Sequence, residues 1–273
     1  MGRILCIVNQ KGGVGKTTTA INVGAALALA GQRILVVDTD PQGNLTSGVG
    51  QKGNAAAAGT VYDALTAVRP IEDAAPFVIS TAIQGLSLIP ADRQLTGAEI
   101  ELVPLERREE RLRLLLTSVR HQYDYIMVDC PPSLGLLTLN GLVAADAVLI
   151  PLNCEYFALE GLAELVGTLR RVRASLNPHL DIEGVLLTMC DERTNLGQQV
   201  AGDVRGFFKE KVFRTVIPRN VRLGEAPSHG VPVVLYDPRS RGADAYQALS
   251  REVLDRHPES ASSLRTEEDA VQS

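Results

Sequence analysis

The sequence has few residues of the types that hold metal clusters, and those it has are not spaced as ligands. The four cysteines include no C-x-x-C pair, and the four histidines show no zinc-ligand spacing. This pattern argues against a zinc or iron–sulfur site. We expect all four cysteines to be buried free thiols on strands; they are Cys6, Cys130, Cys154 and Cys190.

Long apolar runs and a targeting segment are also missing. No apolar run approaches the roughly 20 residues that cross a bilayer, and the first residues enter a strand without the features of a signal peptide. The net charge of -5 argues against a surface that is basic throughout, although it allows a local basic patch. We expect one cytoplasmic domain over residues 1–257 and a disordered, acidic and Ser-rich tail over 258–273.

Apolar strands alternate with helical patterns along the chain. Alternation of this kind predicts an α/β fold, with a doubly wound, mostly parallel sheet covered by helices on both faces. A Gly- and Ala-rich loop is expected over 48–59. The predicted strands are 4–8, 32–37, 86–89, 123–129, 146–151 and 182–189, and the predicted helices are 17–30, 61–65, 105–122, 158–175, 197–209 and 242–255.

A glycine-rich segment joins the first strand to the first helix and reads Val-Asn-Gln-Lys-Gly-Gly-Val-Gly-Lys-Thr-Thr-Thr. Its glycines let backbone N–H groups approach phosphate oxygens, and the helix start adds its dipole and unpaired donors. Lys16 can reach the outer phosphates, and the Thr17 hydroxyl is placed to bind Mg²⁺. The predicted nucleotide contacts in this phosphate loop are Lys11, Gly12, Gly13, Val14, Gly15, Lys16, Thr17 and Thr18.

The loop departs from the common pattern G-x-x-x-x-G-K-[ST] in two ways. Gln10 stands where the first glycine is expected, and Lys11 adds a lysine before the glycines. A nicotinamide-type G-x-G-x-x-G is excluded because Thr18 replaces its third glycine.

Three aspartates lie at the predicted carboxyl ends of strands. Asp38 and Asp40 follow the second strand, and Asp129 ends the strand that starts near Tyr123. Ligands bind at this edge of open α/β sheets, and Mg²⁺ is usually held through one or two carboxylates. Beside the phosphate loop, Asp129 and Thr17 are therefore predicted metal ligands, and Asp38 and Asp40 are predicted to act at the same edge.

Residues 193–222 form a basic segment in an otherwise acidic chain. They include seven basic residues and two acidic ones, which gives a local charge of plus five. The segment is a candidate nucleic-acid surface, but from charge alone a solvated helix surface is an equal alternative.

Several motifs in order resemble the ParA/Soj family of chromosome-partitioning ATPases, part of the deviant Walker A superclass that includes MinD. They are Lys-Gly-Gly-Val-Gly-Lys-Thr-Thr, Asp-Thr-Asp-Pro-Gln-Gly-Asn, Asp-Tyr-Ile-Met-Val-Asp-Cys-Pro-Pro-Ser and Val-Ile-Pro-Arg-Asn-Val-Arg-Leu. The resemblance runs from about residue 2 to 255. It leaves out the 48–59 loop, the variable 66–85 segment and the tail.

The resemblance implies a role for each matching residue. Lys11 would be the signature lysine that reaches the partner's phosphates in an ATP-bound dimer. Asp40 would position or activate the attacking water, and Asp38 would bind the magnesium with Asp129. Lys11, Lys16 and Asp40 make the predicted catalytic set. The resemblance places Pro218 and Asn220 around the adenine and Glu155 near the dimer interface and the nucleotide. It matches Arg193 and Arg222 to residues that hold DNA nonspecifically.

The function implied by the resemblance is a nucleotide switch. ATP and Mg²⁺ would bind, a homodimer would form on nonspecific double-stranded DNA of the nucleoid, and hydrolysis would separate it. A ParB/Spo0J-type centromere-binding protein would stimulate that hydrolysis.

Other classes with a similar loop remain as alternatives. A MinD-like membrane switch needs a basic amphipathic C-terminal helix, whereas this tail is acidic and Ser-rich. An iron–sulfur carrier needs paired cysteines, and a ligase resembling dethiobiotin synthetase would form a product without DNA. The larger plasmid ParA proteins carry an N-terminal helix-turn-helix, and here the phosphate loop begins by residue 11.

Overall fold

A seven-stranded sheet forms the centre of the computed structural model, which describes residues 1–155, 158–190 and 194–257. The strands are short and consist mostly of buried apolar residues. They are β1 (Arg3–Ile7), β2 (Ile34–Asp38), β3 (Ile79–Ser80), β4 (Leu86–Ile89), β5 (Tyr125–Asp129), β6 (Ala147–Asn153) and β7 (Asp181–Thr188).

The strand order is β3-β4-β2-β5-β1-β6-β7. Every neighbouring pair is parallel except β3 and β4, so the predicted mostly parallel sheet is confirmed. In register, Asp129 pairs with Ile7 of β1 on one side and with Asp38 of β2 on the other. The sheet thus brings the end of β1 and two aspartates together at its carboxyl edge.

Both faces of the sheet are covered because consecutive residues of each strand point to opposite sides. In β1 and β2, one core takes Ile4, Cys6, Leu35 and Val37, and the other takes the residues between them. Strands buried on both faces lose the polar alternation of an exposed sheet. The near-continuous apolar runs in the sequence reflect this burial.

Helices of very different length pack on the two faces. The longest cover the sheet, and the shortest are single turns near its carboxyl edge. They are α1 (Lys16–Leu29), α2 (Asn44–Gly48), α3 (Val61–Thr66), α4 (Leu95–Glu101), α5 (Arg111–Val119), α6 (Leu136–Ala144), α7 (Ala158–Ser175), α8 (Asn195–Phe208), α9 (Val221–Glu225), α10 (Val233–Tyr236) and α11 (Arg241–Arg256).

The predicted helix over 105–122 was wrong at its start. Residues 102–110 form turns, with Arg107 at φ 53, and the regular helix begins only at Arg111. A backbone angle in that region ends a right-handed helix. The charged residues before Arg111 therefore belong to turns.

Helix α6 was not predicted because its sequence, Leu-Leu-Thr-Leu-Asn-Gly-Leu-Val-Ala, shows no polar face. It is almost wholly buried, and even Asn140 is 0% exposed. The Asn140 side chain accepts a hydrogen bond from the Leu112 N–H and donates to two carbonyl groups. A helix buried all round cannot be recognised by amphipathic spacing.

Within the described ranges, none of the helices combines the length and the apolar character that crossing a membrane requires. The tail predicted over 258–273 lies outside the described residues.

Candidate nucleotide-binding site

The phosphate loop lies between the end of β1 and the first turn of α1. Gly13 and Gly15 have φ angles of 71 and 89, which is the left-handed region that glycine enters without a steric penalty. Gly15 immediately precedes α1 and has no side chain to cap the first N–H groups. Free donors at the start of a 14-residue helix attract anions.

Gly12 is a glycine for a different reason. A Cβ built on Gly12 would meet no described atom within 4 Å, and its φ is not in the left-handed region. The chain itself therefore does not require glycine here. The open space beside the backbone is what a closely approaching phosphate would use.

Two buried side chains that the sequence did not point out fix the loop to the sheet. Asn9 donates to the Pro151 carbonyl at 2.7 Å and accepts from the Lys11 N–H at 2.9 Å. Thr188, at the end of β7, donates to the Val14 carbonyl at 2.8 Å. Neither residue belongs to the phosphate-loop pattern, so only the fold reveals this support.

Lys16 points into the loop that precedes it. Its Nζ donates to the Lys11 carbonyl at 3.0 Å, and the residue is 7% exposed. Burial lowers the pKa of Lys16, while the charges of Asp129 and Asp40 act in the opposite direction. The ammonium is thus held inside the loop, where phosphate oxygens would gather.

Lys11, by contrast, lies at the rim of the site. Its Nζ is 2.6 Å from Oε2 of Glu155 and 3.5 Å from Oδ1 of Asn153. Arg219 lies 3.8 Å from the other Glu155 oxygen. The hydrogen bond from Lys11 is the largest cause that lowers the pKa of Glu155. The two lysines of the loop therefore occupy different positions, one inside and one at the edge.

Asp38 and Asp129 sit side by side on β2 and β5, and both are 0% exposed. Asp38 accepts from the N–H and hydroxyl of Thr46 and from the Asp40 N–H. Burial raises the pKa of Asp38 to about 6, against these hydrogen bonds. Burial, followed by the neighbouring charge of Asp38, raises the pKa of Asp129 well above its usual range.

Neither carboxylate oxygen of Asp129 has a partner with full hydrogen-bond geometry among the described residues, although the Thr17 hydroxyl is close enough to act against the rise in its pKa. An unpaired buried carboxylate is costly unless a cation or a proton satisfies it. Clusters of three or more His, Cys, Asp or Glu ligands are absent from the described ranges. A site with one or two carboxylates and a Thr hydroxyl fits Mg²⁺, which keeps several waters and phosphate oxygens as its other ligands.

Asp40 follows Asp38 by two residues and is 8% exposed. Its Oδ1 accepts from the Gln42 N–H at 3.0 Å, which fixes the carboxylate in a tight turn. Its charge is close enough to act on Lys16. The structure thus brings Asp40 to the same edge of the sheet as the phosphate loop.

A pocket of about 430 Å³ opens beside the loop. Gly15 and Thr18 form one wall, and Pro218 and Asn220 belong to the opposite segment. The Asn220 Oδ1 accepts the Arg222 N–H at 2.8 Å and, as a carbonyl oxygen, keeps a second lone pair. Tyr246 of α11 also lines this pocket and bonds Thr19 of α1 at 3.2 Å.

The basic segment contributes several exposed cations, most of which already have acidic neighbours. Arg222 pairs with Glu225 at 2.7 Å and Asp237 at 3.2 Å, and its side chain is 49% exposed. Lys211 pairs with Asp181, while Arg214 is 85% exposed and 3.8 Å from Glu252. Arg193, the other predicted DNA residue, lies outside the described residues.

The prediction of four free thiols was wrong for two of them. Cys154 and Cys190 form a disulfide bond between the ends of β6 and β7, with Cα atoms 5.1 Å apart. Cys6 and Cys130 are buried free thiols, as expected. The sequence could not show the bond because its cysteines are 36 residues apart and meet only through strand pairing.

The glycine loop, its helix, its lysines and the two strand-end aspartates define a P-loop nucleotide hydrolase with an additional lysine before the glycines. A family model described as an AAA domain matches residues 2–182. The sporulation initiation inhibitor Soj of Bacillus subtilis is 58% identical, over 93% of this chain and 98% of its own. The chromosome-partitioning ATPase Soj of Treponema pallidum is 52% identical, over 94% and 98%.

Among solved structures, cobyrinic acid a,c-diamide synthase from Mycobacterium smegmatis, with bound ADP and magnesium, superposes with a TM-score of 0.80. It is 36% identical and the match covers 96% of this chain and 97% of that one. Because the sequence relatives match over nearly their full length, this chain belongs to the ParA/Soj family of chromosome-partitioning ATPases.

Proposed function

We propose that this ATPase is a dimerising switch of DNA segregation that binds ATP with Mg²⁺, pairs on DNA and separates after hydrolysis. The observation that carries the proposal is the placement of its two loop lysines. Lys16 is buried against its own loop, whereas Lys11 sits at the rim, 36% exposed and bound only by side chains. A rim lysine is available to a second subunit, and a buried one is not.

In this proposal each residue of the site has one task. The loop N–H groups and Lys16 bind the phosphates, and Thr17, Asp38 and Asp129 hold the metal. Mg²⁺ neutralises charge on the phosphate oxygens. Asp40 orients the attacking water, and Pro218 and Asn220 frame the adenine. The unpaired oxygens of Asp129 support the metal assignment.

Lys11 would contact the phosphates of the partner subunit. An ammonium about 4 Å from a phosphate charge at an effective dielectric near 20 gains ~4 kcal/mol before desolvation is subtracted. Two-fold symmetry makes the contact twice. To make it, Lys11 must leave Glu155, and an exposed ion pair of this kind contributes only about 0.2–1 kcal/mol. The balance therefore favours pairing once ATP is bound.

DNA binding would follow from pairing, because Arg193 and Arg222 of both subunits would then act together. Four such arginines predict a slope of about -3.6 when the logarithm of affinity is plotted against that of salt concentration. Binding would not depend on sequence, and the dimer would associate with the nucleoid. A ParB-type protein bound at centromere sites would stimulate hydrolysis, as the family membership suggests.

The deciding experiment is DNA retention with ATP, ADP or no nucleotide across a salt series. The expected result is retention only with ATP and a steep loss of affinity with salt. Asp40→Ala should accumulate the DNA-bound ATP dimer, and Lys11→Ala should bind nucleotide as a monomer that does not bind DNA. An ATP dimer of Lys11→Ala in sedimentation, or equal DNA retention with ATP and ADP, would contradict the proposal.

A small-carboxylate ligase remains the alternative, because the synthase from Mycobacterium smegmatis shares the fold at 36% identity. It would turn over ATP without any response to DNA or pairing. The same nucleotide series therefore separates the two functions.

A further inference from the structure

The disulfide between Cys154 and Cys190 lies where the nucleotide site is assembled. Cys154 directly follows β6, and Cys190 comes two residues after β7. Their Cα separation of 5.1 Å is within the range that allows a disulfide without backbone movement. Both residues are only partly buried, so small thiols can reach the bond.

The other two cysteines differ from this pair in their exposure to solvent. Cys6 and Cys130 also face each other, with Sγ atoms 3.2 Å apart, but both are 0% exposed. The hydrogen bond between them and their burial raise the pKa of Cys6 well above its usual range. A buried thiol of this kind is protected from exchange. The chain thus contains one shielded pair and one accessible pair.

Each accessible cysteine is next to residues that shape the site. On one side of Cys154, Asn153 lies 3.5 Å from the Lys11 ammonium, and on the other, Glu155 binds it at 2.6 Å. Before Cys190, Met189 lines the pocket and Thr188 holds the Val14 carbonyl. The bond therefore ties the group that holds Lys11 to the strand end that supports the loop.

We propose that Cys154 and Cys190 form a reversible thiol–disulfide switch that controls nucleotide-dependent pairing of this chain. The inference rests on the proposed function, since DNA segregation takes place in a reducing compartment, where disulfides are typically transient and regulatory. In the oxidised chain the ends of β6 and β7 are covalently joined. Glu155, one residue from the bond, then stays beside Lys11.

The chemistry requires an oxidant, which we assign to the class of low-molecular-weight disulfides. The thiolate of one cysteine attacks that disulfide and releases one small thiol, forming a mixed disulfide. The second cysteine thiolate then displaces the other small thiol and closes the Cys154–Cys190 bond. In total two S–H bonds are lost from the protein, and the oxidant takes two electrons and two protons to become two thiols.

The contact between Lys11 and Glu155 determines which redox state favours pairing of two subunits. When the bond is reduced, Cys154 and Glu155 are no longer tied to the end of β7, so Glu155 can leave the ammonium free for the phosphates of a partner. When it is oxidised, Lys11 stays bound within its own chain. We expect the oxidised form to pair about tenfold more weakly with ATP, because the competent conformer becomes a minor population.

The test uses the full chain equilibrated in buffers of defined oxidised-to-reduced dithiothreitol ratio. Alkylation in denaturant followed by intact mass measurement counts all free thiols, including the buried pair, and sedimentation with ATP and Mg²⁺ measures pairing. Cys154→Ser and Cys190→Ser should pair like the reduced protein in every buffer. Cys6→Ala, which removes a shielded thiol, should keep the redox response. Non-reducing gels should show the oxidised protein at the mass of one chain.

Two results would overturn the switch. One is four alkylatable thiols in every buffer, and the other is equal ATP-dependent pairing of the oxidised and reduced protein. A lack of ATP-dependent pairing in reduced wild type and in Cys154→Ser alike would instead refute the proposed function, and the inference with it. The thiol count and the pairing curve thus separate the two failures.

Discussion

Lys11 and Glu155 form an ion pair across the mouth of the site, with Nζ and Oε2 2.6 Å apart. The Glu155 side chain is 48% exposed, so water screens the pair. The lysine that we propose reaches a second subunit is thus held by a weak contact within its own chain.

Removing this contact should favour pairing. We expect Glu155→Gln to lower the dissociation constant of the ATP dimer by about 2- to 30-fold, the equivalent of ~0.4–2 kcal/mol for the two exposed pairs of a symmetric dimer at ~0.2–1 kcal/mol each. Sedimentation over a range of protein concentrations measures the constant, and Lys11→Ala is the matched control that should not pair. A weaker dimer in Glu155→Gln would indicate that the carboxylate acts at the interface itself.

Asn9 should matter for the loop although it is not itself predicted to bind the nucleotide or the metal. Asn9→Ala leaves the Pro151 carbonyl and the Lys11 N–H without their partner, and we expect a loss of about 1–3 kcal/mol in the free energy of unfolding. Nucleotide affinity should fall with it, because the loop is no longer fixed. Urea unfolding and a fluorescent-nucleotide titration provide the two readouts.

Asn9→Asp is the control for that experiment. It keeps an acceptor for the Lys11 N–H but replaces the donor to Pro151 with a buried negative charge, so it should be at least as destabilised as Asn9→Ala and should bind the anionic nucleotide more weakly. Unchanged nucleotide affinity in Asn9→Ala would show that the loop holds its shape without this side chain.

Substitution by alanine should have different effects on protein stability at Gly12 and at Gly13. Gly12→Ala should leave the free energy of unfolding within about 0.5 kcal/mol of wild type, since its Cβ meets open space. It should nevertheless abolish tight nucleotide binding. Gly13→Ala, at φ 71, should destabilise the fold by about 1 kcal/mol because of its left-handed backbone. Strong destabilisation by Gly12→Ala would contradict this separation.

The raised pKa of Asp38 predicts that the stability of the metal-free protein depends on pH. Its pKa is raised from 3.8 to about 6 in the folded chain, so the folded state binds more protons between these values. The free energy of unfolding should therefore fall as pH rises from about 4 to about 6, by up to ~3 kcal/mol for a shift of that size.

Urea unfolding in EDTA at several pH values tests this, and Asp38→Asn should reduce the fall. Asp129 acts in the same direction because its pKa is also raised. Added Mg²⁺ with nucleotide should restore stability at neutral pH. A rise in stability over this interval that is the same in Asp38→Asn would exclude the effect.

The parts of the site that follow a strand or a glycine pattern were predictable from the sequence. The local sequence is enough to predict the places of Gly13, Lys16, Asp38 and Asp129. A parallel sheet then brings the carboxyl ends of its strands together. The supports Asn9 and Thr188 and the Cys154–Cys190 bond were not, because each joins residues more than thirty positions apart. Such contacts depend on strand order, which no local pattern encodes.

Some helices of the fold were also predictable from the sequence and others were not. Amphipathic helices such as α11 follow from spacing, whereas the uniformly apolar α6 gave no periodic signal. The short helix α9 buries none of its residues, and its start is marked by the Asn220 side chain, which accepts a hydrogen bond from the Arg222 N–H.

The hydroxyl contact between Thr19 and Tyr246 has a consequence for synthesis. Thr19, in the helix that follows the phosphate loop, leaves the ribosome 227 residues before Tyr246 of α11. Domains fold as units from the N-terminus as they emerge. The loop therefore acquires its final support only when residue 246 has left the exit tunnel, so a stalled chain would carry the motif without a finished site.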